Sequence, residues 1–196
     1  MGQTTLRGLM GLPAEPAPLR DSALVMIDCQ NTYTRGIMEL DGVQEALDSG
    51  AELLDRARGL GVPVVHIMHD AGEGSPYDVR AEVGQIAAKV APRDGEPVIV
   101  KTFPNSFVGT GLDEQLTALG TRSLVLAGFM THMCVNSTAR GAFSLGYAPT
   151  VVAAATATRS LPGAGGVDAA ALQAASLAAI DDLFGIVVPD VTAVPS

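Results

Sequence analysis

The stretch LVLAGFMTHMCVNSTARGAFSLGY, residues 124 to 147, decides how the rest of the chain is interpreted. Its first four residues form a short apolar run that ends at Gly128, which predicts a buried strand. From Cys134 onward, apolar and small residues recur every three or four positions until Gly146. This spacing predicts a helix with one face against a sheet. Cys134 is therefore expected near a helix N-terminus, shortly after a strand.

Two interpretations of Cys134 follow from this position. As a nucleophile, its thiolate would be stabilised by the unpaired backbone N–H groups and the positive dipole end of the helix, so we expect a thiol more acidic than usual. The same N–H groups could stabilise an oxyanion on an attacked carbonyl. As a structural residue, Cys134 would be a small buried side chain, which is a common role of free cysteine.

Composition narrows the classes of function. The 196 residues are 47% apolar and 17% charged, which is typical of one folded domain. The formal net charge of -9 argues against nucleic acid and anionic membranes as partners. Cys29 and Cys134 lie far apart without CxxC spacing, so we expect no disulfide framework and no thiolate metal site. Without a long apolar segment or a signal-like N-terminus, we expect a cytoplasmic protein that acts on a small molecule.

The remaining patterns alternate between strand and helix. Further strands are predicted over residues 23–27, 62–68, 97–100, 149–155 and 185–188, and further helices over 41–60, 110–119 and 168–183, with Thr110 as an N-cap. This alternation predicts a three-layer α/β/α fold around a mainly parallel six-stranded sheet. We expect an N-terminal arm over residues 1–20 and one domain over 21–196. Residues 70–96 form a long connection, with a short helix near 81–88, that is expected to cover a site.

Three reactive side chains stand at or just beyond predicted strand ends. Asp28 follows the first strand, Lys101 follows the third and Cys134 follows the fourth. The C-terminal edge of such a sheet is where binding sites assemble. A carboxylate there can take the proton of the thiol, and an ammonium can stabilise the thiolate. The structural alternative for Lys101 is a solvated strand end, and Cys29 is expected to pack on the side opposite to Asp28.

Three motifs resemble those of a known superfamily. They are LVMIDCQN at residues 24–31, KTFPNSF at 101–107 with GTGL at 109–112, and AGFMTHMCVNSTA at 127–139. In this order they resemble the isochorismatase-like cysteine hydrolases, which include nicotinamidases and N-carbamoylsarcosine amidases. The resemblance extends from Asp21 to Asp190. It implies an isochorismatase-like fold and a homo-oligomer.

The resemblance also implies roles for individual residues. Asp28 would be the general base, Lys101 its charge partner, and Cys134 the nucleophile that forms a thioester. Backbone N–H groups of Met130 and Cys134 would form the oxyanion hole. A cis peptide bond would join Phe129 to Met130.

Cofactors are not expected. Nicotinamidases resemble one another in an Asp and His cluster that holds a metal, and the residues after Met68 offer His69 and Asp70 without that pattern. We interpret His66 as a core or near-site histidine and not as a ligand, because His69 is expected to point elsewhere. The sequence therefore predicts neither a metal nor another cofactor.

The predicted function is hydrolysis of a C–N bond in a small amide or lactam through a Cys134 thioester. The segment 130–133 is similar to that of streptothricin hydrolases, which open a lactam, although His132 replaces an aspartate that is frequent in the superfamily. Two alternatives remain open: cleavage of a vinyl ether through Asp28, as in isochorismatases, and a non-catalytic α/β binding protein. Candidate substrate contacts are Asn105, Phe107, Phe129, Thr131 and His132.

Overall fold

The protein folds around a single parallel sheet. The computed structural model describes residues 4–163 and 165–196. Its strands are β1 (Ser22–Ile27), β2 (Val64–His69), β3 (Val98–Lys101), β4 (Ser123–Phe129), β5 (Ala148–Ala157) and β6 (Ile186–Val188). They pair in parallel in the order β3-β2-β1-β4-β5-β6. The predicted six-stranded α/β architecture is confirmed.

Helices cover both faces of the sheet because the strands are apolar on both sides. The helices are α1 (Leu6–Leu9), α2 (Val43–Gly59), α3 (Leu112–Ala118), α4 (Asn136–Ser144) and α5 (Ala169–Ala179). In β1, Leu24 and Met26 belong to the core under α2, whereas Val25 and Ile27 belong to the core under α3 and α4. This alternation is the two-residue period of a strand.

The strand order reverses between β1 and β4. From β1 the chain continues to β2 on one side, and from β4 it continues to β5 on the other. Connections that leave in opposite directions open a crevice at the C-terminal ends of these two strands. Asp28 directly follows β1, and a π-helical turn, Thr131–Val135, follows β4 and contains Cys134. The topology therefore brings these two motifs together.

Strand β4 is longer than predicted because it continues through Gly128 to Phe129. Gly128 has φ 121°, and a Cβ at this position would lie 1.9 Å from the carbonyl oxygen of Ile27. Glycine therefore allows β1 and β4 to approach closely beside the crevice. The pairing of β4 with β5 shifts register between Leu126 and Gly128. The prediction that the strand ends at Gly128 was wrong for this reason.

Other boundaries also differ from the predictions. Helix α3 begins after Gly111, so the predicted N-cap was wrong by one residue, although the Thr110 hydroxyl accepts from the N–H of Leu112 at 3.3 Å while it donates to the carbonyl of Ser106. The helix predicted near 81–88 is replaced by two 3-10 turns, Glu82–Gly84 and Ala88–Val90. Contacts within the loop determine that conformation. Gly84 packs closely on the backbone of Asp78, because a Cβ on Gly84 would lie 2.2 Å from the carbonyl oxygen of Asp78.

The start of the described N-terminal arm contacts the π-helical turn Ile180–Phe184 that follows α5. Thr5 caps α1, the N–H of Leu6 donates to Asp182 at 2.9 Å, and the guanidinium of Arg7 donates to the carbonyl of Leu183 at 3.2 Å. Among the residues that the structure describes, no helix is both long enough and apolar enough to cross a membrane.

Candidate active site

The structure brings Asp28, Lys101 and Cys134 together at the crevice. Lys101 Nζ lies 2.7 Å from Asp28 Oδ2 and 3.4 Å from Cys134 Sγ. The three residues are 0%, 1% and 5% exposed in the order Asp28, Lys101, Cys134. A solvated strand end is therefore not the environment of Lys101. The ammonium is enclosed between a carboxylate and a thiol.

Different elements place the three side chains. Lys101 is the last residue of β3, and Cys134 lies in the turn before α4. Asp28 leaves β1 with φ 49°, a left-handed conformation that is uncommon for residues other than glycine. Cys29, the next residue, belongs to the core under α2. Asp28 therefore faces the crevice while Cys29 packs into the core.

The Asp28 carboxylate is poised as a proton acceptor. Burial raises its pKa above the ordinary value, and the ammonium of Lys101 opposes that rise. Its Oδ1 atom has no hydrogen-bond donor among the described residues. A carboxylate with a raised pKa and an oxygen without a donor can take a proton from a neighbouring group.

Cys134 differs from the acidic thiol that the sequence predicted. Burial raises its pKa to about 12, and the negative charge of Asp28 adds to this rise, while Lys101 opposes it. The position before α4 is as predicted, but burial and the nearby carboxylate outweigh the effect of the helix N-terminus. Burial and the Asp28 carboxylate therefore favour the neutral thiol form of Cys134.

A turn of backbone surrounds Cys134. The peptide bond between Phe129 and Met130 is cis. The carbonyl of Met130 accepts hydrogen bonds from the N–H groups of Met133, at 3.0 Å, and Val135, at 3.2 Å. The hydroxyl of Thr131 is buried and donates to the carbonyl of Ala157 at 3.0 Å. Thr131 therefore ties this turn to the end of β5, and its hydroxyl proton is not available to a substrate.

Aromatic residues that the sequence did not single out form one wall of the site. Tyr33 is 1% exposed and meets Phe129 and Tyr77 edge to face, with ring centroids 5.8 and 5.7 Å apart. Burial raises the pKa of Tyr33, and the charge of Asp28 adds to that rise. Phe129 is thus a buried wall residue. Tyr33 and Tyr77 were missed because only the tertiary fold brings these loops to the crevice.

His69, whose role the sequence left open, directly contacts Lys101. Its Nδ1 atom lies 3.1 Å from Lys101 Nζ, and its ring meets Tyr77 edge to face at 5.2 Å between centroids. His69 ends β2 and is the register partner of Lys101 in β3. The expectation that His69 points away from His66 is confirmed: His66 contacts Glu96, whereas His69 faces Lys101, because residues three apart on a strand lie on opposite faces.

A second polar group lies beyond the turn. His132 Nδ1 is 2.6 Å from the hydroxyl oxygen of Thr158, which follows β5. Burial lowers the pKa of His132, and the neighbouring Arg159 guanidinium lowers it further. The Arg159 Nε atom is buried and has no hydrogen-bond partner in the described part of the chain. Arg159 is thus a cation beside the candidate site that sequence patterns gave no reason to select.

Two residues predicted to contact the substrate, Asn105 and Phe107, lie away from the group around Lys101. Asn105 Oδ1 accepts from the N–H of Phe107 at 3.0 Å, and its side chain packs against Gly141 of α4. Phe107 stacks on Tyr147, with ring centroids 5.7 Å apart. Neither contact belongs to the group around Lys101. Asn105 and Phe107 instead line a cavity beside α4, and their contact with a substrate stays a prediction.

The long connection after β2 is fastened beside the site. The amide of Gln30, which is fully buried, donates to the carbonyls of His69, at 2.9 Å, and Gly84, at 2.7 Å. Its Oε1 atom accepts from the N–H of His69 at 2.9 Å. Gln30 therefore positions both the end of β2 and the loop that carries Tyr77.

His66 belongs to a separate network. It is 1% exposed, and its Nε2 atom lies 3.0 Å from Glu96, which also pairs with Arg58 at 2.8 Å. Burial lowers the pKa of His66. The interpretation of His66 as a core histidine is confirmed. Within residues 4–163 and 165–196, no three His, Cys, Asp or Glu side chains are arranged to hold a metal ion.

Comparison with known proteins establishes the family. The isochorismatase domain model matches residues 22–189, so the chain belongs to the isochorismatase family. The chain is 34% identical to the secreted isochorismatase effector Isc1 of Verticillium dahliae, over 94% of this chain and 96% of the relative. It is 30% identical to a streptothricin hydrolase of Streptomyces noursei, over 99% of this chain and 79% of the relative.

A solved structure agrees with this assignment. The crystal structure of an isochorismatase from Pseudomonas putida KT2440 matches with a TM-score of 0.93 and 38% identity, over 96% of this chain and 97% of that chain. The predicted resemblance and the predicted fold are both confirmed. The chain is an isochorismatase-family hydrolase.

Proposed function

We propose that the protein hydrolyses a C–N bond of a small amide or lactam through a thioester on Cys134. The observation that carries this proposal is the position of Lys101 Nζ, 2.7 Å from Asp28 and 3.4 Å from the Cys134 sulfur in a buried site. Cleavage of a vinyl ether by Asp28 needs no thiol at this point. A binding protein would have no need for a buried charge pair beside a thiol.

Acylation begins with transfer of the Cys134 proton to Asp28. The sulfur attacks the carbonyl carbon of the substrate while Lys101 stabilises the negative charge that develops on sulfur. Backbone N–H groups of Met130 and Cys134 donate to the oxyanion. The C–N bond then breaks, the leaving nitrogen takes the proton from Asp28, and the acyl group stays on sulfur as a thioester.

Deacylation uses the same groups in reverse. Asp28 removes a proton from a water molecule, and the hydroxide oxygen attacks the thioester carbonyl. The C–S bond breaks, Cys134 recovers a proton from Asp28, and a carboxylic acid is released. The raised pKa of Asp28 suits both directions of this transfer, because a base that must also donate its proton works best when its pKa is near the working pH.

The surroundings favour a small and polar substrate. Cys134 is 5% exposed, so little of the sulfur is reached from outside. Arg159, whose Nε has no hydrogen-bond partner in the described residues, fits an acidic group on the substrate. The compounds to test therefore include amides and ureides that carry a carboxylate, together with lactams such as streptothricin.

The test is release of ammonia or amine by the wild-type protein and by Cys134→Ala. Cys29→Ala is the matched control, because Cys29 is the only other cysteine and lies in the core under α2. We expect Cys29→Ala to retain turnover and Cys134→Ala to lose it by about 10³-fold or more. Mass spectrometry of protein quenched during turnover should detect the acyl group on Cys134.

Isochorismate distinguishes the alternative. Two of the relatives are named isochorismatases, so vinyl ether cleavage is the second candidate. Turnover of isochorismate that survives Cys134→Ala would move the chemistry to Asp28 and overturn the thioester proposal. Absence of turnover on every compound, with no acyl adduct, would favour a binding protein.

A further inference from the structure

The ammonium of Lys101 has three hydrogen-bond acceptors around it. Asp28 Oδ2 lies at 2.7 Å, His69 Nδ1 at 3.1 Å and Cys134 Sγ at 3.4 Å. A lysine ammonium carries three N–H donors and accepts no hydrogen bonds. Each donor of this buried group is therefore matched by one acceptor, and two of the acceptors are the proposed base and nucleophile.

His69 can fill this place only as a neutral imidazole. Its Nδ1 must keep a lone pair to accept from Lys101, so the ring proton resides on Nε2. Burial lowers the pKa of His69, and Lys101 lowers it further, while Asp70 opposes both. Tyr77 from the long loop meets this ring edge to face, and Asp70 has Arg80 as its own partner at 3.8 Å.

Rigid elements hold the imidazole in this position. His69 and Lys101 are register partners at the ends of β2 and β3. The amide of Gln30 binds both the N–H and the carbonyl of His69 at 2.9 Å, and the N–H of Asp70 donates to the carbonyl of Lys101 at 2.9 Å. These hydrogen bonds fix the backbone from which the imidazole extends.

We infer that His69 is a positioning residue that holds the Lys101 ammonium between Asp28 and Cys134. The inference rests on the proposed function, and it adds a fourth residue to the three that the sequence motifs identify. Without the third acceptor, one ammonium N–H would be left unsatisfied in a buried site, which is unfavourable. Lys101 would then move toward solvent or water, away from the sulfur.

Two substitutions separate this role from simple packing. His69→Asn places an amide oxygen close to the position of Nδ1 and cannot be protonated, whereas His69→Leu fills the space without an acceptor. The first readout is the rate at which iodoacetamide alkylates Cys134 from pH 5 to pH 10. Peptide mapping by mass spectrometry distinguishes Cys134 from Cys29, and thermal unfolding confirms that each variant is folded.

We expect His69→Leu to slow alkylation of Cys134 about tenfold at pH 7, because loss of a nearby cation raises the thiol pKa by about a unit. His69→Asn should stay within about threefold of the wild-type rate, since its oxygen accepts from Lys101. Its alkylation should also persist to lower pH than in the wild type, because the acceptor no longer titrates. Alkylation by His69→Leu at the wild-type rate, or equal loss in both variants, would overturn the inference.

The second readout is turnover of an amide substrate. We expect kcat to fall about tenfold or more in His69→Leu with KM nearly unchanged, and to recover in His69→Asn. Alkylation needs no substrate, so the two proposals can fail separately. If no amide is turned over but the alkylation pattern holds, the proposed function fails and the positioning role of His69 stands.

Discussion

Two clusters in this protein, one buried and one half-buried, use the same kinds of side chain with opposite results. Each contains a carboxylate, a cation and a histidine from β2: Asp28 with Lys101 and His69, and Glu96 with Arg58 and His66. Hydrogen bonds from Arg58 hold the pKa of Glu96 at about 2, whereas burial raises the pKa of Asp28.

The difference lies in how many donors each carboxylate receives. Glu96 accepts two hydrogen bonds from Arg58, one from the N–H of Arg93 and one contact from His66, all at 2.8 to 3.0 Å. Asp28 pairs with the ammonium of Lys101, and its Oδ1 has no donor in the described residues. A carboxylate whose oxygens all accept hydrogen bonds stabilises the fold, whereas a carboxylate with an oxygen that lacks a donor can exchange protons. Donor count therefore separates the structural cluster from the reactive one.

The largest effect is expected when Asp28, the carboxylate with fewer hydrogen-bond donors, is replaced. Asp28→Asn removes the proposed base, so kcat on an amide substrate should fall about 10³-fold. Kinetics with the substrate identified by the amide panel measures this. Turnover within a few fold of wild type would show that Asp28 is as structural as Glu96.

The same variant should make Cys134 more reactive toward iodoacetamide. Asp28 raises the pKa of the Cys134 thiol and Lys101 lowers it, so removal of the carboxylate leaves the ammonium unopposed. We expect alkylation of Cys134 at pH 7 to accelerate about tenfold, corresponding to about one unit in pKa. Slower alkylation would mean that Asp28 helps to form the thiolate in the resting protein.

Glu96→Gln tests the structural cluster. The amide removes a charge that Arg58 and His66 contact in a largely buried site, so we expect the free energy of unfolding to fall by about 2 kcal/mol. Urea denaturation at pH 7 measures the loss. Amide turnover per folded molecule should stay within about twofold of wild type. A tenfold loss of kcat would show that the two clusters are coupled.

Acid should weaken the fold through Glu96. Its folded pKa of about 2 lies below the ordinary value of 4.5, so its contribution is complete above pH 4.5 and is lost as the pH falls toward 2. His66, whose pKa is also lowered, acts in the same direction below pH 6.5, whereas the raised pKa of Asp28 acts in the opposite direction above pH 3.8. Thermal unfolding from pH 7 to pH 3 should show a steeper loss in wild type than in Glu96→Gln. Equal slopes would contradict this assignment.

The smallest effect is expected outside both clusters. Asn105→Ala removes one hydrogen bond to the N–H of Phe107 and a contact with Gly141. Stability should fall by about 1 kcal/mol, and KM should change by less than about twofold. Calorimetry and steady-state kinetics measure the two quantities. A tenfold rise in KM would support the prediction that Asn105 contacts the substrate.

The sequence predicted the fold well because its apolar runs are short and end in distinctive residues. Asp28, Lys101 and Cys134 each follow such a run, and parallel strands bring their C-terminal ends to one edge. These positions depend on local patterns. The predicted boundaries failed at Gly128 and Thr110, where a close approach or a loop hydrogen bond overrides the local pattern.

The surroundings of the site were harder to predict. Tyr33, Tyr77 and Arg159 lie in segments without a repeating pattern, and their places depend on contacts between parts of the chain that are distant in sequence. The acidity of Cys134 was predicted in the wrong direction. A helix N-terminus is visible in a sequence, but the burial that dominates the pKa of the thiol is a property of the whole fold.

Gly128 also limits which substitutions the sequence can accept during evolution. A Cβ there would overlap the carbonyl of Ile27, so any other residue must separate β1 from β4, which lead to Asp28 and Cys134. A change in the interior of the sheet would thereby alter the spacing of the proposed base and nucleophile without replacing either. In a library that randomises both strands, selection for turnover should accept conservative exchanges at Leu24 and return glycine alone at position 128.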